Sequence, residues 1–194
     1  MDPRVGERPQ PTGPSALERH WLTRCQAGDG AAFQPLLRPY LGGLLALARR
    51  HCRDPHWAED LVQETLVRAF RGLPSFRGDS ALRTWLFKIL VRLAADPARW
   101  RRDDPAQTLE VDVPDHLGAP VEHSAMAREL QDRLDEAMER LTLRQRTALH
   151  LRAVEGMDYA GIGAVLACTA VAARMQVLAA RRKVLLRVRE HLDP

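Results

Sequence analysis

From Pro74 to Ile89 the chain reads PSFRGDSALRTWLFKI, which sets the rings of Phe76, Trp85 and Phe87 among Arg77, Arg83 and Lys88, with Arg92, Arg99, Arg101 and Arg102 following. The net charge is only +4, but it is unevenly spread. From Arg71 to Arg102 there are eight Arg and Lys against Asp79 and Asp96, and from Asp103 to Glu136 ten Asp and Glu against Arg128 and Arg133. From Arg174 to Arg189 six basic residues face no acidic one. Two basic blocks around an acidic spacer point to a polyanionic partner, although a single charge run is more often a solvated helix face. Arg77, Gly78, Asp79 and Ser80 also spell an adhesive tetrapeptide. Such a loop needs display outside a cell, and the rest of the chain speaks against that.

Cys25, Cys52 and Cys168 are odd in number and far apart, which suits a reducing compartment better than a disulfide framework. The first fourteen residues hold four prolines and no apolar run, and are read as neither signal peptide nor anchor. The longest apolar stretch, Leu41 to Ala48, is far short of a membrane span. A cytoplasmic protein with no membrane insertion is expected. His51, Cys52 and His56 lack a second ligand pair at metal spacing, so no metal and no cofactor is expected. Neither a phosphate loop, a nucleophile motif nor a paired-carboxylate site is present, so an enzyme is not expected.

Apolar residues recur at intervals of three and four, which predicts an all-α fold. One helix is expected from Ala16 to Ala27, stopped at Gly28, and a second from Ala31 towards His51, bent at Pro35 and Pro39. Asp54 followed by Pro55 predicts a capped helix that closes at Gly72. In it Ala58, Leu61, Val62, Thr65, Leu66 and Ala69 form a core stripe, while Glu59, Asp60, Gln63, Glu64 and Arg68 look outward. Ser80 is expected to cap a basic helix from Ala81 to about Arg102, bent or ended near Asp96 by Pro97. Residues 103–121, rich in Pro and acids, are read as a flexible acidic linker. Beyond it lie helices Glu122 to Glu139, Thr142 to Val154, Tyr159 to Leu166 capped by Asp158, and a last one from Ala170 to near His191, the final pair fitting a helix-turn-helix. The expected divisions are a disordered 1–15, a helical domain 16–102, the linker 103–121 and a helix-turn-helix domain 122–194. In the last helix Arg174, Arg181, Arg182 and Arg189 share one face, which leaves Val171, Met175, Leu178 and Leu185 for the core.

The stretch AEDLVQETLVRAFRGLPSFRGDSALRTWLFKI, Ala58 to Ile89, closely resembles region 2 of bacterial sigma factors of the extracytoplasmic-function (ECF) group, and Leu134 to Leu166 resembles their region 4. The resemblance implies a non-catalytic subunit that binds core RNA polymerase, recognises the minus-ten and minus-thirty-five promoter elements and helps to melt DNA. Asp60, Gln63 and Glu64 would dock on the coiled coil of the largest subunit, and region 4 on the flap of the second subunit. Phe76, Arg77, Arg83, Trp85, Lys88, Arg92 and Arg99 would hold the non-template strand, with rings stacking on bases and cations tracking phosphates. For Trp85 and Phe87 a core position is an equal alternative. Thr169, Arg174, Gln176, Arg181 and Arg182 would meet the minus-thirty-five element in the major groove. An anti-sigma factor is a further implied partner.

The sequence departs from the family at reading surfaces. Arg92 stands where Asn is usual, Ala167 where Gly is, Thr169 where Pro is, Ala172 where Thr is and Gln176 where Arg is. An alanine offers a base edge no hydrogen bond. A second reading therefore stays open, that of a sigma-like protein that binds polymerase or an anti-sigma factor without reading promoters.

Overall fold

The computed structural model of the chain describes residues 14–52, 54–96, 133–134 and 136–189. Among these there are helices and turns and no strand. The linker, Arg99 and most of the helix expected from Glu122 lie outside the described residues.

Helix α1 (Ala16–Gln26) starts at Ser15, whose hydroxyl accepts the Glu18 N–H at 3.0 Å. A 3-10 turn (Gly30–Ala32) leads into α2 (Phe33–His51). Helix α2 runs unbroken past both prolines. Pro35 falls in the first turn, where an N–H has no helical partner, so only Pro39 removes an interior bond. Asp54 caps α3 (Pro55–Gly72) as the sequence predicts, its carboxylate accepting from His56 N at 2.9 Å. The whole predicted stripe of α3 is buried.

Helix α4 is shorter than its sequence suggests. It spans Leu82–Ala94, its N-cap is Ala81 rather than Ser80, and no side chain caps it. Its end two residues before Asp96 agrees with the restriction that Pro97 puts on the residue ahead of it. Phe87 is fully buried beside Leu82, Leu86, Leu90 and Leu93, which settles its place in the core.

In the second half, Thr142 and Gln145 form a reciprocal capping box on α5 (Leu143–Ala153). Asp158 caps α6 (Tyr159–Leu166), and Ala167 to Thr169 turn the chain into α7 (Ala170–Arg189). The turn is tight enough that a Cβ on Gly163 would stand 2.7 Å from the Cys168 carbonyl oxygen. Ala167 closes α6 in the left-handed region, at φ 52 and ψ 51. That conformation costs an L-residue about 1 to 2 kcal/mol and glycine far less. An Ala167→Gly variant is therefore expected to raise stability by about 1 kcal/mol, after the larger entropy of an unfolded glycine is deducted, which denaturant unfolding would register.

The side of α7 turned inward also differs from expectation. Ala173, Val177 and Ala180 are buried, whereas Val171, Met175, Leu178 and Leu185 are exposed. Small side chains at spacings of three and four let α7 lie close against α5 and α6, and close approach, not side-chain size, selects the buried stripe.

The two halves form one structure. Helix α4 packs on α6 and α2 on α5, and a single cluster runs from Leu37, Leu44, Leu86 and Leu90 to Leu151, Ile162 and Val165.

Candidate functional site

Helix α4 sorts the strand-holding candidates by direction. At 100° per residue, Trp85, Lys88 and Arg92 fall within about a 60° arc, and Arg83 lies roughly opposite. Trp85 is half-buried. Its ring centroid is 5.1 Å from that of Phe76, and its edge lies over Gly72, where a Cβ would be 3.0 Å from Cζ2. The Phe76 loop is held by Gln26, whose Nε2 donates to the Phe76 carbonyl at 2.8 Å. Arg77 and Arg92 are exposed and Lys88 is half-buried. Two rings backed by rigid helices, with cations along the same face, offer what an unpaired strand requires. Arg83 stands apart from them, pairing with Glu155 of the second half.

On α3, Asp60 is exposed, and Glu64 is half-buried and accepts from Arg68 Nε at 2.8 Å, so it is not the free carboxylate that the sequence suggests. Gln63 is half-buried, and its Oε1 lies buried without a hydrogen-bond partner. Trp57, one turn ahead of Asp60 on the same face, is 48% exposed. Sequence reasoning passed over it. Its spacing of three from Asp60 and seven from Glu64 is the signal that could have placed it with them.

On α7, Arg174, Arg181 and Arg182 are exposed, and Gln176 is half-buried towards a different side. Thr169 Oγ1 accepts the Ala172 N–H at 3.1 Å, so Thr169 caps the helix. The arginines share their exposed surface with Val171, Met175, Leu178 and Leu185, which makes it half apolar.

Where α2 meets α5, buried polar groups mediate the packing. Thr147 Oγ1 donates to the Leu143 carbonyl at 2.8 Å, so the His51 Nε2–H, 3.1 Å away, is the donor to that hydroxyl, and His51 Nδ1 is left buried and unpartnered. Arg50 Nε donates to His150 Nδ1 at 3.1 Å, and Arg146 donates to the Arg50 carbonyl at 3.1 Å. His56, by contrast, is exposed at the start of α3.

Burial, then the neighbouring Arg146 and His150, push His51 down to about 4. The interface therefore accepts the neutral ring. Its contribution is complete above about pH 6.5 and is lost as the pH falls towards 4. Burial pushes the Glu155 carboxyl up, but His150 and Arg83 together pull it down by more, so it stays ionised through that window. The chain is expected to lose on the order of 2 kcal/mol of stability from this group between pH 7 and 5. Urea unfolding at several pH values checks this. A His51→Gln variant, which keeps a donor for Thr147 and does not titrate, should flatten that slope.

The described residues are thus helical, with a tightly turned helix pair, α6 and α7, in the second half and a basic, aromatic helix, α4, in the first. The model of Sigma-70 region 2 matches residues 36–104 and that of Sigma-70, region 4 matches residues 131–184. The RNA polymerase sigma-H factor of Pseudomonas aeruginosa is 34% identical over 176 residues, covering 86% of this chain and 91% of that protein. The ECF RNA polymerase sigma-E factor of Escherichia coli K12 is 32% identical over 172 residues, covering 84% and 90%. Among solved structures, that of the sigma factor RpoE with the anti-sigma factor NepR from Bartonella quintana aligns at a TM-score of 0.62 and 26% identity, covering 81% of this chain and 96% of that one. CnrH in complex with the cytosolic domain of CnrY aligns at 0.67 and 24% identity over 90% and 99%, and so shares the fold. The chain belongs to the sigma-70 family, in its ECF group.

Proposed function

We propose that the chain binds core RNA polymerase through Asp60, Gln63 and Glu64 on α3, joined by Trp57. It holds the unpaired non-template strand of the minus-ten element on Phe76, Trp85, Lys88 and Arg92, with Arg77 alongside. Through Thr169, Arg174, Gln176, Arg181 and Arg182 it meets the minus-thirty-five element, and it works in the cytoplasm as a subunit without catalysis of its own. The observation that carries this reading is the shared face of Trp85, Lys88 and Arg92 beside Phe76, because stacking and phosphate contacts can act there on one strand. Residues 16–102 and 122–194 are its two functional domains. Run-off transcription with purified core polymerase on a promoter library tests the proposal. Specific transcripts are expected, and tight polymerase binding with no transcript from any member would overturn it.

The exposed apolar stripe of Val171, Met175, Leu178 and Leu185 favours a second reading for α7, a surface that an anti-sigma factor covers instead of a base-reading one. In the same assay this predicts transcripts that are indifferent to the minus-thirty-five sequence.

A further inference from the structure

The loop that carries Phe76 and Arg77 has little regular structure of its own. Leu73–Ser75 make a single 3-10 turn, and residues 76–81 lie outside any helix. The Phe76 N–H donates to the Leu73 carbonyl at 3.1 Å, which closes the turn, and Phe76 itself is extended at φ -69 and ψ 115. A side chain from another helix braces this turn. Gln26, the last residue of α1, points its Nε2 at the Phe76 carbonyl, 2.8 Å away, and at the Leu73 carbonyl, 3.5 Å away. Two acceptors define the amide, because only its NH2 end can face both, one hydrogen towards each end of the turn. Gln26 is exposed, so it does not act by filling the core. The helix behind it is fixed in place. Trp21, Leu22 and Cys25 pack against the core, the Tyr40 hydroxyl donates to Glu18 Oε2 at 2.9 Å, and Arg24 Nε donates to Asp29 at 2.8 Å just past the helix end.

A carbonyl and the N–H that follows it share one plane. Holding the Phe76 carbonyl therefore fixes the peptide that joins Phe76 to Arg77, and with it the direction in which exposed Arg77 leaves the loop. The same contact keeps the Phe76 ring where it meets Trp85, with 5.1 Å between centroids. We propose that Gln26 is a positioning residue for strand capture, which presets the Phe76 ring and Arg77 for the unpaired strand without touching DNA itself. A loop ordered before it binds pays no ordering cost at capture, whereas a loosened one pays it each time. The proposal rests on the reading of Phe76 and Trp85 as the strand surface. It also gives α1 a task, since no residue of that helix is fully buried. Sequence alone does not join the two, because Gln26 and Phe76 are 50 residues apart.

Holoenzyme assembled from core polymerase and the full chain tests this. The probe is 2-aminopurine at successive positions of the non-template minus-ten strand, a base whose fluorescence falls when it stacks on a ring. Gln26→Met keeps the length and the helix preference of the side chain and removes its donor. It is expected to leave core binding and helix content unchanged and to restore fluorescence at the position that the parent quenches. The lifetime of the open complex should fall about fivefold, equal to about 1 kcal/mol, the worth of one ordinary hydrogen bond. Phe76→Ala, alone and with Gln26→Met, completes a double-mutant cycle in which the two effects fall well short of adding, because Gln26 acts through the Phe76 peptide. Quenching in Gln26→Met as strong as in the parent overturns the proposal, whatever the lifetime. Additive effects in the cycle overturn it too, because they are what a merely stabilising bond gives. If Phe76→Ala and Trp85→Ala each leave the parent's quenching in place, the rings are not the strand surface, and it is the underlying reading that fails.

Discussion

Reversing two charges on α3, as Asp60→Lys with Glu64→Lys, is expected to weaken binding to core polymerase by about 30-fold or more while the chain stays folded. The stability side of this expectation follows from small terms. Asp60 is exposed, and it lies beyond the first turn, where the helix dipole no longer favours an acid. Glu64 gives up one i,i+4 ion pair with Arg68, worth about 0.3 to 0.5 kcal/mol on a helix surface. The binding side is larger, because two lysines present like charge to a surface selected for acids, and the penalty for such a juxtaposition runs to several kcal/mol. A 30-fold weakening needs only about 2 kcal/mol. Titration of labelled core polymerase measures it, with circular dichroism to confirm helix content. An unchanged dissociation constant would place the docking surface elsewhere. Trp57→Ala tests the added ring in the same assay, since an exposed tryptophan beside the charges is the residue type that most often anchors an interface.

How far the sequence discloses the fold depends on whether the deciding forces are local. Asp54 with Pro55, Ser15, and Thr142 with Gln145 make their caps within four residues of chain, so helix starts are legible there. Helix α3 is equally legible, because Leu61, Val62 and Leu66 with Ala58, Thr65 and Ala69 form one continuous stripe, although Trp57 and Phe70 stand exposed outside it. Helix α7 is not. It has two apolar stripes, one of Ala173, Val177 and Ala180 and one of Val171, Met175, Leu178 and Leu185, and size favours the wrong one. What decides between them is the shape of α5 and α6, which no property of α7 contains.

The site shows the same division. That Arg83 faces away from Trp85 is present in the sequence, since two residues of helix turn a side chain through about 200°. Its partner is not, because Glu155 lies 72 residues away and reaches it only through the packing of one half on the other. The acidic partner of a basic helix need not be DNA or polymerase, and charge counts along the chain do not distinguish a partner in the same molecule. Of the departures at Ala167 and Thr169, the structure explains the second and shows the first at a local cost. Ala167 takes a left-handed turn where glycine would be at ease, and Thr169 caps α7 through its hydroxyl.

The rings and the cations of α4 are expected to fail differently when removed. Trp85→Ala should cost about 1 to 3 kcal/mol in holding an open promoter, the usual worth of one stacked base, and should leave the salt dependence nearly unchanged, because a ring releases no counterion. Lys88→Ala or Arg92→Ala should instead reduce the salt slope by about 0.7 in log K for each single-strand phosphate left without its cation. The geometry adds a condition for Arg83. Its guanidinium pairs with Glu155 on the side of α4 away from Trp85, so Arg83→Ala is expected to leave the salt slope nearly unchanged. Trp85 also has a structural share. It packs on Phe76 and over Gly72, and removing such a ring pair lowers stability by about 0.5 to 1.5 kcal/mol beyond the area it buries. Lifetimes of open complexes at several salt concentrations, measured well below the melting temperature of each variant, keep the two shares apart. A Trp85→Ala chain that melts earlier yet holds promoters open as long as the parent would assign the ring to packing alone.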